Sequence, residues 1–245
     1  MENSELTIDP YNVIIAGVGG QGNVMASRVM GGMLSCKGFY VTIGETFGAS
    51  QRGGSVMSHL RISAASCWSP QIPKGMGHLV ISLEPTEAIR ILKDYGNPNI
   101  HVLCNTRPIH SAGVISGEQS YPALEDIKAW VTELSASVWF IDATARAMKM
   151  GNPIFGNIMM IGAAAALNLL PLDRKDFESV ISTMLTPDKI AVNLSAYDFR
   201  STDGGCINSS ICVSEIIYKM TGRSCYFLKA AMISKVSVVR YLGFN

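Results

Sequence analysis

Three glycines within residues 13–28, VIIAGVGGQGNVMASR, follow the spacing G-x-G-x-x-G, with Gly17, Gly19 and Gly22 at the glycine positions. A short apolar run precedes them and residues with helical spacing follow, which predicts a turn from a buried strand into a helix. Backbone N–H groups at the start of a helix carry partial positive charge, and glycine has no Cβ atom to hold a ligand away. The pattern therefore predicts a backbone site for a phosphate or another anion.

A fourth glycine and two polar neighbours extend the predicted site. The expected cofactor-binding residues of this loop are Gly17, Gly19, Gly20, Gln21, Gly22 and Asn23. A nicotinamide or flavin dinucleotide is one candidate ligand, because Glu45 lies 23 residues after Gly22, near the expected end of the second strand. A different phosphate compound is another candidate, and a turn that needs glycine but binds nothing is the third. The residues alone leave these alternatives open.

A second glycine-rich signature, GASQRGG at residues 48–54, is not one that hydride transfer requires. Arg52 is its candidate catalytic or ligand-binding side chain, because a guanidinium group donates in a fork to a phosphate or a carboxylate. A salt bridge to a partner protein explains Arg52 equally well. Ser50 and Gln51 are weaker candidates for the same site.

Three further polar residues have a structural explanation beside a functional one. Glu84 opens a predicted helix together with Pro85, and a carboxylate at that place stabilises a helix N-terminus. Asn157 stands at the start of a long apolar helix, so capping that helix is its plainer role. His59 lies in a predicted strand and is expected to be structural rather than catalytic.

The composition narrows the classes of function. The formal net charge is +1 and no basic block appears, which argues against nucleic-acid binding. None of the six cysteines has C-x-x-C spacing, and the four histidines form no H-x-x-x-H pair. We therefore expect this chain alone to bind neither zinc nor an iron–sulfur cluster. Charged residues make up 16%, where ~25% is usual, which fits either a large core or a surface covered by a partner.

The sequence contains no evident targeting or membrane segment. Its first ten residues, MENSELTIDP, lack the cationic start and apolar core of a signal peptide. The longest apolar stretch, residues 158–172, contains Asn168 and falls short of the ~20 residues that a membrane span needs. We therefore expect a soluble cytoplasmic protein without a membrane span.

Strand-like and helix-like segments alternate along most of the chain. The predicted strands are 11–16, 39–43, 55–62, 78–83, 100–104 and 138–141, and the predicted helices are 22–37, 84–92, 123–134, 142–150, 157–170 and 173–184. This alternation predicts an α/β fold with a mostly parallel sheet and flanking helices. We expect one domain over residues 1–200 and a C-terminal extension of unknown role over residues 201–245.

The first two strands and the helix between them are expected to form a β-α-β unit with parallel strands. Residues 44–54 are rich in glycine and polar side chains, which predicts an ordered loop. The alternating pattern of residues 55–62 favours an edge strand or an antiparallel strand.

Four stretches taken together resemble a known family. They are IIAGVGGQGNVMASRVM (14–30), GETFGASQRGGSVMSHLRIS (44–63), PKGMGHLVISLEPTEAIRIL (73–92) and IDATARAMKMGNPIFGNIMMIGAAAALNLLPL (141–172). Their order and spacing resemble the gamma-type subunit of 2-oxoacid:ferredoxin oxidoreductases, most closely the small (beta) subunits of the indolepyruvate ferredoxin oxidoreductases. The resemblance covers about residues 11–200, and Asn157 matches a position of the family.

The resemblance implies a Rossmann-like unit in a hetero-oligomeric enzyme that oxidatively decarboxylates a 2-oxoacid, here an aryl pyruvate such as indolepyruvate. The products are an acyl-coenzyme A and electrons that pass to ferredoxin, an iron–sulfur protein. In such enzymes thiamine diphosphate and iron–sulfur clusters carry out the difficult steps. The glycine-rich loop would approach coenzyme A, whose pyrophosphate suits a helix N-terminus.

This sequence has no G-D-G motif followed at the right distance by an asparagine pair, which thiamine-binding subunits contain. The resemblance therefore implies a larger partner subunit that holds thiamine diphosphate and the clusters, with ferredoxin reached through the complex. Two alternatives stay open. One is a stand-alone NAD- or FAD-binding dehydrogenase, and the other is a non-catalytic scaffold subunit.

Overall fold

The computed structural model describes residues 6–47 and 54–198. The strands are β1 (Tyr11–Val18), β2 (Tyr40–Phe47), β3 (Ser55–Ser63), β4 (Leu79–Ser82), β5 (His101–Asn105) and β6 (Ser137–Ile141). The helices are α1 (Asn23–Cys36), α2 (Pro85–Tyr95), α3 (Ala112–Ile115), α4 (Leu124–Leu134), α5 (Ala143–Lys149), α6 (Phe155–Ala166), α7 (Arg174–Met184) and α8 (Pro187–Tyr197). The predicted extension over residues 201–245 lies outside the described residues.

All six strands form one sheet with the order β2-β3-β1-β4-β5-β6. The pairs β1–β4, β4–β5 and β5–β6 are parallel, whereas β3 runs antiparallel to both β1 and β2. The predicted α/β class with a mostly parallel sheet is therefore confirmed.

The predicted β-α-β unit is present, with β1 and β2 parallel because both run antiparallel to β3, but the two strands are not neighbours. Strand β3 lies between them, with Tyr11 of β1 opposite Ile62 and Tyr40 of β2 opposite Ser63. The alternating pattern indicated an antiparallel strand, which is confirmed, but β3 is an inner strand and β2 forms the edge. Apolar periodicity reports which faces are buried and not which strands are neighbours, so the sequence did not predict this insertion.

Strand β2 is longer than predicted and takes up the beginning of the expected loop at residues 44–54. Gly44 pairs with His59, and the ladder continues to the pair of Phe47 with Val56. Pairing with β3 outweighs the low strand propensity of glycine at this place. Residues 48–53 lie outside the described residues.

The helices differ from the prediction mainly at their ends. Helix α6 runs over Phe155–Ala166 rather than 157–170, and Asn168 just beyond it has a φ angle of +52°. Helices α3 and α8 were not predicted, although Thr186 followed by Pro187 is a typical start of a helix such as α8. Within 6–47 and 54–198, no helix combines the length and apolar character needed to cross a membrane.

The sheet separates two apolar layers, and alternate residues of β1 point into each. Val13 and Ile15 are fully buried in the layer formed with α1, α6, α7 and α8. Ile14 and Ala16 are fully buried in the other layer, formed with α2 and α4. Because both faces of β1 are covered, its carboxyl end is held rigidly where it leads into the glycine loop.

Helices α6 and α8 approach closely at one glycine. A Cβ atom built on Gly162 of α6 would overlap the carbonyl oxygen of Tyr197 in α8. At Gly156 of the same helix, the nearest heavy atom to such a Cβ is 3.7 Å away, which is ordinary contact. The small residue at position 162 is therefore a packing requirement.

We predict that Gly162→Ala lowers the free energy of unfolding by about 1–3 kcal/mol, because the added methyl group must push the two helices apart. Gly156→Ala is the matched control and should be neutral or stabilising, because alanine favours a helix more than glycine does. Urea unfolding of both variants measures this difference. Equal effects at the two positions would contradict the close approach.

Two histidines, the buried His59 and the half-buried His78, accept hydrogen bonds from the backbone. His59 Nδ1 accepts from Ile72 N at 3.0 Å, and His78 Nδ1 accepts from Asn12 N at 2.9 Å. Burial lowers the pKa of both imidazoles, and nearby His101 lowers the pKa of His78 further. His59 also packs edge-on against Tyr95, so its role is structural.

We predict that the free energy of unfolding decreases as the pH falls below about 6.5, the ordinary histidine pKa. The unfolded chain takes up protons there before the folded chain does, so folding is favoured at higher pH and opposed at lower pH. A protonated imidazole also loses the Nδ1 acceptor. Denaturant unfolding between pH 8 and pH 5.5 tests this, with a smaller slope expected for His59→Gln; identical slopes would contradict it.

Candidate functional site

The predicted glycine turn forms the bend between β1 and α1. Gly20 and Gly22 have φ angles of +102° and +82°, a region that glycine adopts readily. Gly19 N donates to Gly54 O at 2.8 Å, which joins the bend to the start of β3. Gly20 is exposed, and a Cβ atom built on it would meet no heavy atom within 4 Å. The Cα atom of Gly20 therefore has open space beside it.

The N-terminus of α1 is left without a side-chain cap. Gly22 occupies the N-cap position, no side-chain hydrogen bond caps the helix, and its first turn contains no acidic residue. The first N–H groups of a helix have no partner inside the helix. By contrast, Glu84 caps α2 and Asp142 caps α5. Among the described residues, the start of α1 thus has neither a side-chain cap nor an acidic side chain in its first turn, an arrangement that suits an anion.

Gln21 braces the bend from within. Its Oε1 accepts from Val18 N at 2.7 Å, and its Nε2 donates to Leu83 O at 2.8 Å. Both ends of the carboxamide are therefore engaged inside the chain. The geometry assigns Gln21 to holding the backbone, whereas the sequence suggested a polar contact with the ligand.

Gly17 also has an internal reason to be glycine. A Cβ atom there would lie 2.6 Å from Gln21 Oε1, 2.8 Å from Asn23 Oδ1 and 3.0 Å from Leu83 Cβ. The missing side chain makes room for the carboxamides of Gln21 and Asn23. Asn23 is buried, and its Nδ2 donates to Val56 O at 3.1 Å.

Asn157 contacts the bend and does not cap its own helix, which corrects the expected role. Ile154 occupies the N-cap position of α6, and Asn157 lies inside the helix with 4% of its surface exposed. Its Nδ2 donates to Gly22 O at 3.2 Å. The sequence missed this contact because 135 positions separate the two residues.

The carboxyl ends of β4 and β5 are tied to the same bend through Leu83 O. Asn105 Nδ2 donates to Leu83 O at 2.9 Å and to Thr144 Oγ1 at 2.8 Å. Asn105 Oδ1 accepts from Ala143 N at the start of α5. Sequence reasoning did not select Asn105, although a polar residue at the carboxyl end of a parallel strand is a usable signal.

Glu84 is fully buried and holds the connection between β5 and α4. Its carboxylate accepts from Thr86 Oγ1 at 2.6 Å and Glu87 N at 3.1 Å, and from Tyr121 Oη at 2.6 Å and Ile109 N at 3.3 Å. Burial raises the pKa of Tyr121, and the hydrogen bond to Glu84 raises it further. The carboxylate therefore serves as a cap for α2 and as a clamp for this connection.

Glu45 does not lie where a dinucleotide-binding acid should. It sits on β2, and Arg28 Nε is 3.8 Å from its Oε1. Since β3 separates β2 from β1 and neighbouring strands are about 4.8 Å apart, Glu45 is roughly 10 Å sideways from the strand that leads into the bend. This arrangement does not favour the NAD or FAD alternative.

The second glycine-rich signature is only partly described. Ser50, Gln51 and Arg52 lie outside the described residues, so their roles stay predictions. Ser55 follows at the start of β3, and its Oγ donates to Glu87 Oε2 at 2.6 Å.

The chain belongs to the pyruvate ferredoxin/flavodoxin oxidoreductase family, which matches residues 12–198. It is 35% identical over 189 residues to the indolepyruvate oxidoreductase subunit IorB of Pyrococcus horikoshii, covering 77% of this chain and 93% of that protein. The chain is thus a small subunit of a multi-subunit oxidoreductase.

Two solved structures have the same fold at 18% identity. The pyruvate oxidoreductase subunit PORC of Thermotoga maritima has a TM-score of 0.58 and covers 78% of this chain and 95% of that one. The 2-oxoglutarate:ferredoxin oxidoreductase of Magnetococcus marinus, solved with 2-oxoglutarate, coenzyme A and succinyl-CoA bound, has a TM-score of 0.59. The match covers 78% of this chain and 30% of that longer chain.

We predict that Gln21→Glu lowers the free energy of unfolding by about 1–3 kcal/mol, because a carboxylate oxygen replaces the donor that faces Leu83 O. Gln71→Glu is the control, because residue 71 is exposed, and it should change little. Urea unfolding at pH 7 compares the two. Equal stability of the two variants would show that Gln21 does not brace the bend.

Proposed function

We propose that the chain is the non-thiamine subunit of a 2-oxoacid ferredoxin oxidoreductase of the indolepyruvate or aryl pyruvate type, and that its glycine bend binds the pyrophosphate of coenzyme A. The single observation that carries the binding site is the start of α1. It has no side-chain cap, and the exposed Gly20 stands beside it. Donors and partial positive charge at a helix start are the general features of a phosphate site.

The choice of substrate rests on the relatives. The indolepyruvate oxidoreductase subunits from Pyrococcus horikoshii and Thermococcus kodakarensis are 35% and 34% identical to this chain over 189 residues. The choice of coenzyme A rests on the structural neighbour in which that compound is bound, together with the fit of the bend to an anion.

The proposed task of this chain is to bind and orient. Backbone N–H groups at the start of α1 would donate to the phosphate oxygens, and Gly20 would let the ligand approach the backbone without a Cβ atom in the way. Arg52 is retained as the candidate cation for the same anion, with Ser50 and Gln51 beside it. Fixing the long coenzyme in one orientation would raise its effective concentration at the reacting centre.

Carbon–carbon cleavage and electron transfer belong, in this proposal, to thiamine diphosphate and iron–sulfur clusters held by a larger partner chain. Among the described residues, no group of three or more His, Cys, Asp or Glu side chains is placed to bind a metal ion. Ferredoxin would be reached through that partner.

The test uses the complex purified through a tag on this chain. A larger co-purifying chain with thiamine diphosphate and the visible absorbance of iron–sulfur clusters is the expected composition. Reduction of methyl viologen with an aryl pyruvate then measures the dependence of the rate on coenzyme A. Recovery of an active lone chain, or of a complex without thiamine diphosphate, would contradict the proposed division of labour.

We predict that Gly20→Asp raises the KM for coenzyme A at least about tenfold more than Gly20→Asn, because the two side chains differ mainly by a negative charge next to the pyrophosphate. Gly38→Asp is the control, because Gly38 also has a positive φ, +88°, and open space, but lies at the other end of α1. It should leave this KM unchanged. Equal KM values for the two Gly20 variants, in complexes that assemble, would favour a scaffold with an empty bend.

A further inference from the structure

The carbonyl oxygen of Gly22 is a junction between the glycine bend and a distant helix. It accepts the first helical hydrogen bond of α1, from Ala26 N at 3.0 Å. It also accepts from Asn157 Nδ2 of α6 at 3.2 Å. One backbone atom at the exit of the bend is thus held from two directions.

The packing around this junction leaves little freedom. A Cβ atom built on Gly22 would overlap Asn157 Nδ2 and lie 3.2 Å from Ile154 Cδ1. Asn157 is 4% exposed, so surrounding atoms hold its carboxamide in place. The first turn of α6 therefore packs directly on the last residue of the bend.

The hydrogen bond on Gly22 O also sets the direction of a neighbouring donor. A peptide unit is planar and trans, so its C=O and N–H bonds point in opposite directions. Fixing Gly22 O consequently aims Asn23 N–H, the first N–H of α1, out of the helix start. This is one of the donors to which the proposed function assigns the pyrophosphate.

Asn157 differs in this respect from the caps of the neighbouring helices. Glu84 and Asp142 accept hydrogen bonds from N–H groups at the starts of α2 and α5 and so occupy these donors. Asn157 instead donates to a carbonyl group and occupies none of the N–H groups at the start of α1. A donor on the carbonyl stabilises the bend without competing with an anion.

We propose that Asn157 is a positioning residue for anion binding at the bend, acting through Gly22 O. The inference rests on the proposed function, because it takes the pyrophosphate of coenzyme A as the anion. Asn157 fixes the direction in which the N–H groups at the start of α1 point. Loss of the Asn157 carboxamide therefore weakens coenzyme A binding, while the chemistry in the partner chain continues.

The test measures the KM for coenzyme A and kcat of the complex purified through a tag on this chain. Asn157→Ala should raise the KM about fivefold to tenfold, the effect of losing one hydrogen bond, and leave kcat within about twofold. Asn157→Asp should raise it further, because it removes the donor and adds negative charge near the anion. Asn157→Ser, which is too short to reach Gly22 O, should behave like Asn157→Ala and replaces it if that complex does not assemble.

The matched control is Asn193→Ala. Asn193 is 7% exposed, and its Nδ2 donates at 2.8 Å to Lys189 O within its own helix, away from the bend. A merely structural role predicts similar kinetic effects at both positions, whereas the proposal predicts a KM change at Asn157 alone. An unchanged KM in the Asn157 variants overturns the proposal. If Gly20→Asp also leaves the KM for coenzyme A unchanged, both the proposed function and the role of Asn157 are contradicted. If Gly20→Asp raises the KM as expected, only the role of Asn157 is contradicted.

Discussion

The bend between β1 and α1 keeps its shape because neutral carboxamides hold its backbone. Gln21 fixes the beginning of the bend through Val18 N and Leu83 O, and Asn157 fixes its end through Gly22 O. A carboxamide carries both a donor and an acceptor, so it can satisfy backbone groups without adding charge. The start of α1 has no side-chain cap and no acidic residue in its first turn, so these contacts add no negative charge where an anion would bind.

The same principle extends along the carboxyl edge of the sheet. Asn105 connects Leu83 O with the start of α5, and the buried carboxylate of Glu84 closes the edge at α2. The carboxylates of Glu84 and Asp142 thus accept hydrogen bonds from N–H groups at the starts of α2 and α5. Of the described helices that directly follow β1, β4 and β6, which are α1, α2 and α5, α1 is the one that starts without a side-chain cap.

Much of this arrangement is readable from the sequence, because the information is local. The glycine spacing after an apolar run predicted the bend, and Glu84 before Pro85 predicted the start of α2. Asp142 and Asp173, at the starts of predicted helices, are N-caps in the structure. In each case the residue that decides the geometry lies within a few positions of the group that it contacts.

What the sequence did not reveal depends on contacts between distant segments. Because β3 lies between β1 and β2, Glu45 is distant from the bend, although the spacing of Glu45 from Gly22 in the sequence suited a dinucleotide site. The contact of Asn157 with Gly22 joins residues 135 positions apart, and only the packing of α6 against the bend brings them together. The internal contact of Gln21 was missed for a related reason, because its partner Leu83 O lies in the segment that follows β4, 62 positions further along the chain.

The hydrogen bond from Gly19 N to Gly54 O connects the start of the inserted strand β3 to the glycine bend. Gly54 is the last residue of the second glycine-rich signature, and Gly19 lies in the middle of the first. Two motifs that are separate in the chain are therefore joined by one backbone hydrogen bond. Wherever this hydrogen bond is kept, the start of β3 and the glycine bend move together.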